Sequence, residues 1–188
     1  MEKNHSSNPV LGLNTEIDPD ADIGNFCCIG KNSKIGAKAK IGNNVSIGDN
    51  VTIGSGAVLE DGISIPSGAK IGSGAFIAKG VVFTNLKYPR ESSQERAIIV
   101  GRGATISVNS ILSDSIQIED YSFVGAASTV NFNTKAHSLI LGSPANHIGW
   151  MSRSGQRLEL PAEGNATARC VETGETYLLE KDSLRILD

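Results

Sequence analysis

At 188 residues, with 39% apolar residues, 5% aromatics and 21 glycines, the chain suits a narrow core of Ile and Val with tight corners better than a helical bundle. A formal net charge of -3 argues against nucleic acid as a general partner, because phosphate-backbone binding needs a basic face. No apolar run is long enough for a membrane span, and three cysteines, Cys27, Cys28 and Cys170, offer neither a disulfide framework nor metal-ligand spacing, so buried thiols are expected.

Met1 to Asn8 is polar and lacks the apolar stretch of a signal peptide, so a cytoplasmic protein is the expectation. From Ile17 onward a large apolar residue recurs at every sixth position: Ile17, Ile23, Ile29, Ile35, Ile41, Ile47, Ile53, Leu59, Ile65, Ile71, Ile77 and Phe83. A period of six fits neither an α-helix nor an open amphipathic sheet; it is the signature of a β-helix, whose coils bury their apolar side chains against one another. Two residues before each large position stands a smaller one, for example Cys27, Ser33, Ala39 and Val45. Strand side chains alternate, so the two share the inward face. Glycine follows at Gly24, Gly30, Gly36, Gly42, Gly48, Gly54 and Gly72, with Asn or Asp nearby. These are read as corner residues that tolerate positive φ.

The register stops at Phe83 and returns at Val100, Ile106, Leu112, Ile118, Val124 and Val130. Phe83 and Val100 are seventeen residues apart where six would continue the winding, so the spacing predicts an extruded loop over 84–97. A polar loop on a rigid prism is where function is usually placed. Lys79, Lys87, Arg90, Arg96 and Arg102 crowd this stretch, diluted by Glu91 and Glu95. Beyond Val130 the tail alternates partly over Arg157–Leu160 and Ala166–Leu179, with Glu172-Thr173-Gly174-Glu175 as a turn. That pattern predicts a small hairpin capping the open end. The expected organisation is an N-terminal extension (1–16), a β-helix of about six coils (17–131) and a C-terminal extension (132–188).

The repeat resembles the hexapeptide-repeat acyltransferase superfamily, all-β proteins built on a left-handed parallel β-helix with three hexapeptides per coil. Further segments follow in order: Val82-Phe83-Thr84-Asn85, Tyr88-Pro89-Arg90, Gly101-Arg102-Gly103-Ala104, Leu141-Gly142-Ser143-Pro144-Ala145 and Ile148-Gly149-Trp150-Met151-Ser152. Together they are similar to nucleotide-sugar N-acetyltransferases that acetylate the 3-amino group of a UDP-2-acetamido-3-amino-2,3-dideoxy-glucuronate, with a related branch acting on dTDP-3-amino-3,6-dideoxyhexoses. The resemblance implies a homotrimer in surface (lipopolysaccharide) polysaccharide biosynthesis. Acetyl-CoA would be co-substrate, lying between neighbouring prisms, and no metal would be needed.

By the same resemblance Asn85 is the catalytic candidate, orienting the sugar amine or a water. Thr84, Asn85, Arg90 and Arg102 would bind the nucleotide sugar, since a guanidinium can grip phosphate or carboxylate through two parallel hydrogen bonds. Gly125, Ala126, Ser143, Pro144 and Asn146 would meet acetyl-CoA. Asn146 departs from the Arg or Lys usual at that place, and Ser107 and Ser113 stand where glycine is expected. His5, His137 and His147 are not placed as a general base. A γ-type carbonic anhydrase on the same fold would need three zinc histidines, and the repeat carries none. A non-catalytic β-helical scaffold is the reading of another class.

Overall fold

The computed structural model describes residues 9–84 and 97–187. The described chain is all β and contains no helix long and apolar enough to cross a membrane. Two-residue strands such as Cys28–Ile29, Lys34–Ile35 and Lys40–Ile41 alternate with four-residue corners. Apart from one break on face one, each strand pairs in parallel with the strand one coil on, so three faces wind around one axis. Face one carries Leu11, Ile29, Ile47, Ile65, Phe83, Leu112 and Val130 inward, face two runs from Ile17 to Ile118, and face three from Ile23 to Ile140. The first corner joins face one to face two, the second joins two to three, and the third joins three back to one.

The inward residues behave as the period requires. Ile53, Leu59, Ile65, Ile77, Ile106 and Leu112 are fully buried, with Ala39, Ala57, Ala69 and Ala75 in the smaller inward place. Burying each large side chain contributes roughly 1.5–3 kcal/mol before entropy is counted. The solenoid has about seven turns rather than six. Val10–Leu11 pairs with Cys28–Ile29 one register step before Ile17, and Ser138–Gly142 adds a strand beyond Val124. The seventh turn is incomplete: face two has no strand there among the described residues. Side chains stand in for it, with Asn133 Oδ1 accepting the Gln117 N–H and Thr134 Oγ1 the Glu119 N–H, both at 2.9 Å.

The corners correct the expected role of glycine. Residues directly after the large aliphatic, such as Gly30 and Gly42, do not have positive φ. They are small because the next coil comes close: a Cβ on Gly30 would lie 2.5 Å from the Gly48 carbonyl carbon. The left-handed residue stands two places later, as in Asn32 (φ 55°), Asn44 (φ 56°) and Asn50 (φ 56°). Asn accepts that geometry at low cost. Asn14, Asn32 and Asn50 stack there as an amide ladder, each link 3.2 Å.

Face one is the face that splits into two sheets, between Ser64–Ile65 and Val82–Phe83. Gly48 N–H donates to Ile65 O (2.9 Å), and one coil on the equivalent donor would be Pro66. Proline has no N–H, so the ladder skips that rung.

After Gly142 the chain turns through Ser143–Pro144 into the antiparallel strand Ala145–Met151, which pairs in turn with Arg157–Leu158. The expected hairpin is present as Gly164–Arg169 and Thr176–Lys181, and a third strand, Ser183–Leu187, extends it to a sheet. This tail has its own core of Trp150, Leu158, Cys170, Tyr177, Leu179 and Leu184. It docks at the second-corner end of the last coils, where His137 stacks on Tyr121 and meets Tyr177 edge-on. Lys135 pairs there with Asp182. Cys27 and Cys170 are buried as expected, whereas Cys28 points outward from face one.

Candidate functional site

The residues expected to bind substrate and co-substrate divide among the three corners. Thr84 lies at the first corner, in the fifth coil, where the winding is interrupted. Its N–H donates to Leu112 O at 2.9 Å and its hydroxyl to the same oxygen at 3.3 Å, so the point of departure is tied to the coil above. Asn85 and Arg90, and the 85–96 part of the expected loop, lie outside the described residues. On the far side the winding resumes at Ile98, which is buried, and Ile99–Val100 pairs with Lys70–Ile71.

Arg102 sits at the second corner, away from Thr84. Its side chain reaches Asp120 Oδ2 (3.2 Å), its N–H donates to Asp120 Oδ1 (2.7 Å), and its guanidinium lies 5.4 Å from the Tyr121 ring centroid. The Arg102 side chain is 62% exposed, so the ion pair is worth little in stability.

The third corner gathers the residues expected to meet acetyl-CoA. Ala126, Ser143, Pro144 and Asn146 are exposed along one ridge. Ser143 Oγ and Thr129 Oγ1 share a hydrogen bond of 2.8 Å, and Asn146 Nδ2 donates to Pro144 O at 3.3 Å. Gly125 is different. It is buried, and the place of its missing Cβ is filled by Leu141 Cδ2, so this glycine makes room for a side chain of the same protein.

Around the third corner, from the fourth coil on, the outward positions turn apolar. Phe76 and Phe123 flank it on face three, Val82 and Ile111 on face one, and Val108 and Leu141 on the corner itself. Lys79 is the charge within this surface. An apolar surface that wraps one edge of a prism is a place for a partner rather than for water.

Neither described histidine stands at the first corner or on the third-corner ridge. His137 is buried and its Nδ1 is 2.9 Å from Met151 O; burial holds its pKa below the ordinary value, opposed by that hydrogen bond. His147 is likewise lowered by burial, lies edge-on to Trp150 and has a buried Nε2 with no partner. His5 lies outside the described residues. No group of three His, Cys, Asp or Glu side chains able to hold a metal ion occurs among the described residues.

Sequence reasoning missed the network that fastens the tail. Arg153 N–H donates to Tyr177 OH (2.9 Å), Tyr177 OH donates to Glu175 Oε2 (2.7 Å), and the Arg153 guanidinium lies 3.6 Å from Glu175 Oε1. No spacing in the repeat signals these contacts, because all three residues lie beyond it, in the tail.

A family model described as the GMPPB C-terminal domain matches residues 23–139. No curated protein sequence matches the chain. Similar solved structures include a hexapeptide transferase family protein from Anaplasma phagocytophilum, 18% identical at TM-score 0.62, covering 77% of this chain and 86% of that one. The UDP-N-acetylglucosamine O-acyltransferase LpxA from Moraxella catarrhalis is 20% identical at TM-score 0.44, covering 76% and 72%. A point mutant of the Bacillus cereus N-acyltransferase AntD, in complex with dTDP-4-amino-4,6-dideoxyglucose and coenzyme A, is 22% identical at TM-score 0.43, covering 78% and 85%. Of these three, the Anaplasma structure speaks for the fold. The family match spans more than half of the chain, and the chain belongs to the GMPPB C-terminal domain family.

Proposed function

We propose that the protein is an acetyl-CoA-dependent N-acetyltransferase acting on the 3-amino group of a nucleotide-linked amino sugar, and that it works as a homotrimer in the cytoplasm, in surface polysaccharide biosynthesis. The observation that carries this reading is the division of the candidate residues between corners. The interruption that begins at Thr84 is at the first corner, while Ala126, Ser143, Pro144 and Asn146 form a ridge at the third, beside a largely apolar surface whose charge is Lys79. A second copy seated on that surface would bring its own first corner toward this ridge. The cleft so formed is where the resemblance puts the thioester and the amine.

Acetyl transfer needs the amine and the thioester carbonyl aligned at near-attack distance, and a donor for the oxyanion that develops. Alignment by Asn85, grip on phosphate or carboxylate by Arg90, and a seat for the pantetheine arm along Ala126, Ser143 and Pro144 are the roles proposed; Arg102, at the second corner and paired with Asp120, has no part in this cleft. Asn146 supplies no charge for a CoA phosphate, so affinity for the co-substrate rests on the uncharged ridge. The test is thiol release from acetyl-CoA with UDP- and dTDP-linked 3-amino sugars in turn. Release with one of them supports the reading and chooses between the two nucleotides. No release with any sugar, from protein that does not bind coenzyme A, returns the solenoid to the scaffold class.

A further inference from the structure

The tail ends in a three-stranded antiparallel sheet with Thr176–Lys181 in the middle, which leaves Gly164–Arg169 as an edge strand. Cys170 N–H donates to Glu175 O at 2.9 Å, so these two residues are a hydrogen-bonded pair at the turn. Such pairs alternate along an antiparallel ladder with pairs that are not bonded. Counting back from Cys170, Ala168, Ala166 and Gly164 turn their backbone groups toward Tyr177, Leu179 and Lys181. Arg169, Thr167 and Asn165 therefore turn theirs away from the sheet, and all three residues are exposed.

Edge strands are ordinarily blunted by proline, a bulge or charge. Gly164–Arg169 has no proline, keeps its register with the central strand along its six residues, and carries one charge, Arg169, at its end. Ala168 packs against the tail core, which fixes the strand in place. Its outer edge is a straight, open template for another strand.

The strand that fits is its own copy. Two copies laid antiparallel about a twofold axis at Ala166 set Asn165 opposite Thr167, residues whose backbone groups both face the join. The same register sets the exposed Glu163 opposite Arg169 at each end, so opposite charges meet twice. An axis at Thr167 would set Glu163 opposite Val171 and lose both meetings. We propose that the protein pairs with a second copy through Gly164–Arg169, joining the two tail sheets into one. A single short strand buries less area than a stable interface needs, so the pairing is weak and sets in as concentration rises. None of its residues belongs to the third-corner ridge or to the apolar surface beside it, and the proposal does not rest on the acyl-transfer reading.

The experiment is sedimentation equilibrium of the purified full chain over a wide range of concentration. Wild type should rise from its low-concentration mass to twice that mass and stop there, because a twofold contact closes on itself. Thr167→Pro removes an outward N–H and no bond to the central strand, so it should keep the low-concentration mass with a wild-type melting temperature. Glu163→Arg should weaken the pairing about tenfold, since it puts like charges together at both ends. Arg169→Glu should do the same, and the variant carrying both reversals should regain wild-type pairing. Wild type that never doubles overturns the proposal, as does Thr167→Pro that doubles as wild type does. If Thr167→Pro fails to fold, the charge reversals decide, and a double reversal that pairs no better than the single ones overturns it.

Discussion

The first four coils and the last three share one inward pattern and differ in almost everything that faces outward. In the early coils faces two and three present Glu16, Lys34, Asp22 and Lys40, and the corners carry the Asn14–Asn32–Asn50 ladder and aspartate caps over glycine. In the later coils the outward positions become Val82, Ile111 and Phe123, and the corner glycines give way to Thr84, Ser107, Ser113 and Glu119. Inward residues respond to the same packing demand along the whole axis. Outward residues are free to differ, and they differ where a partner and a substrate are proposed to sit.

The largest expected effect comes from an inward position. Ile53 is 1% exposed, and Ile53→Ala should cost about 2–5 kcal/mol, since it removes buried methylenes and leaves a cavity between stacked coils. Urea or thermal unfolding checks it, and a cost as small as that of an outward change would undo the distinction between the two patterns.

Next is the outward surface of the later coils. Val82→Asp and Ile111→Asp should lower the molecular mass seen by light scattering from that of a trimer toward that of one chain, while the coil itself remains folded by circular dichroism. The same change at Thr52, outward on face two of the early coils, should leave the mass unaltered. If Thr52→Asp dissociates the assembly and Ile111→Asp does not, the contacts between copies lie elsewhere.

A smaller effect is expected at the seam between the last coils and the tail. Burial lowers the His137 pKa, opposed by its hydrogen bond to Met151, so the ring stays neutral in the folded protein over a range in which the unfolded chain takes up a proton. The stability linked to this neutrality is present above the unfolded value of about 6.5 and is lost as pH falls below it toward the folded value. Melting temperature should therefore decline from pH 7.5 to 5.5, and His137→Gln should shallow that slope. An identical slope in the variant would assign the acid sensitivity to other groups.

Much of this architecture was legible because a period of six separates inward from outward positions at every step. Ile29, Leu59, Ile106 and Val124 are buried as that period requires. The left-handed sense came from resemblance, since spacing alone carries no chirality. What stayed hidden depends on contacts one coil apart. Gly30 was read as a residue for positive φ, yet it is small because Asp49 and the Gly48 carbonyl lie over it, a relation visible only between residues about one coil apart in sequence. Leu11 is in register with Ile17 but sits on the end coil, 49% exposed, where the pattern has no neighbour to confirm it. For the candidate site, the third-corner ridge was readable as a motif, whereas its separation from Thr84 and Arg102 followed from which corner each residue occupies.

The proposed site is built from the first corner of one copy and the third corner of another. Two variants expected to be inactive test this directly when refolded together: Asn85→Ala, which removes the proposed catalytic amide, and Ser143→Asp, which places a charge on the ridge. Mixed trimers should regain about a quarter of the wild-type rate of thiol release, because that share of the interfaces unites an intact first corner with an intact third. Mixtures that stay as inactive as either variant alone, with mixed assembly verified by mass, would place the whole site within a single chain and contradict a site shared between copies.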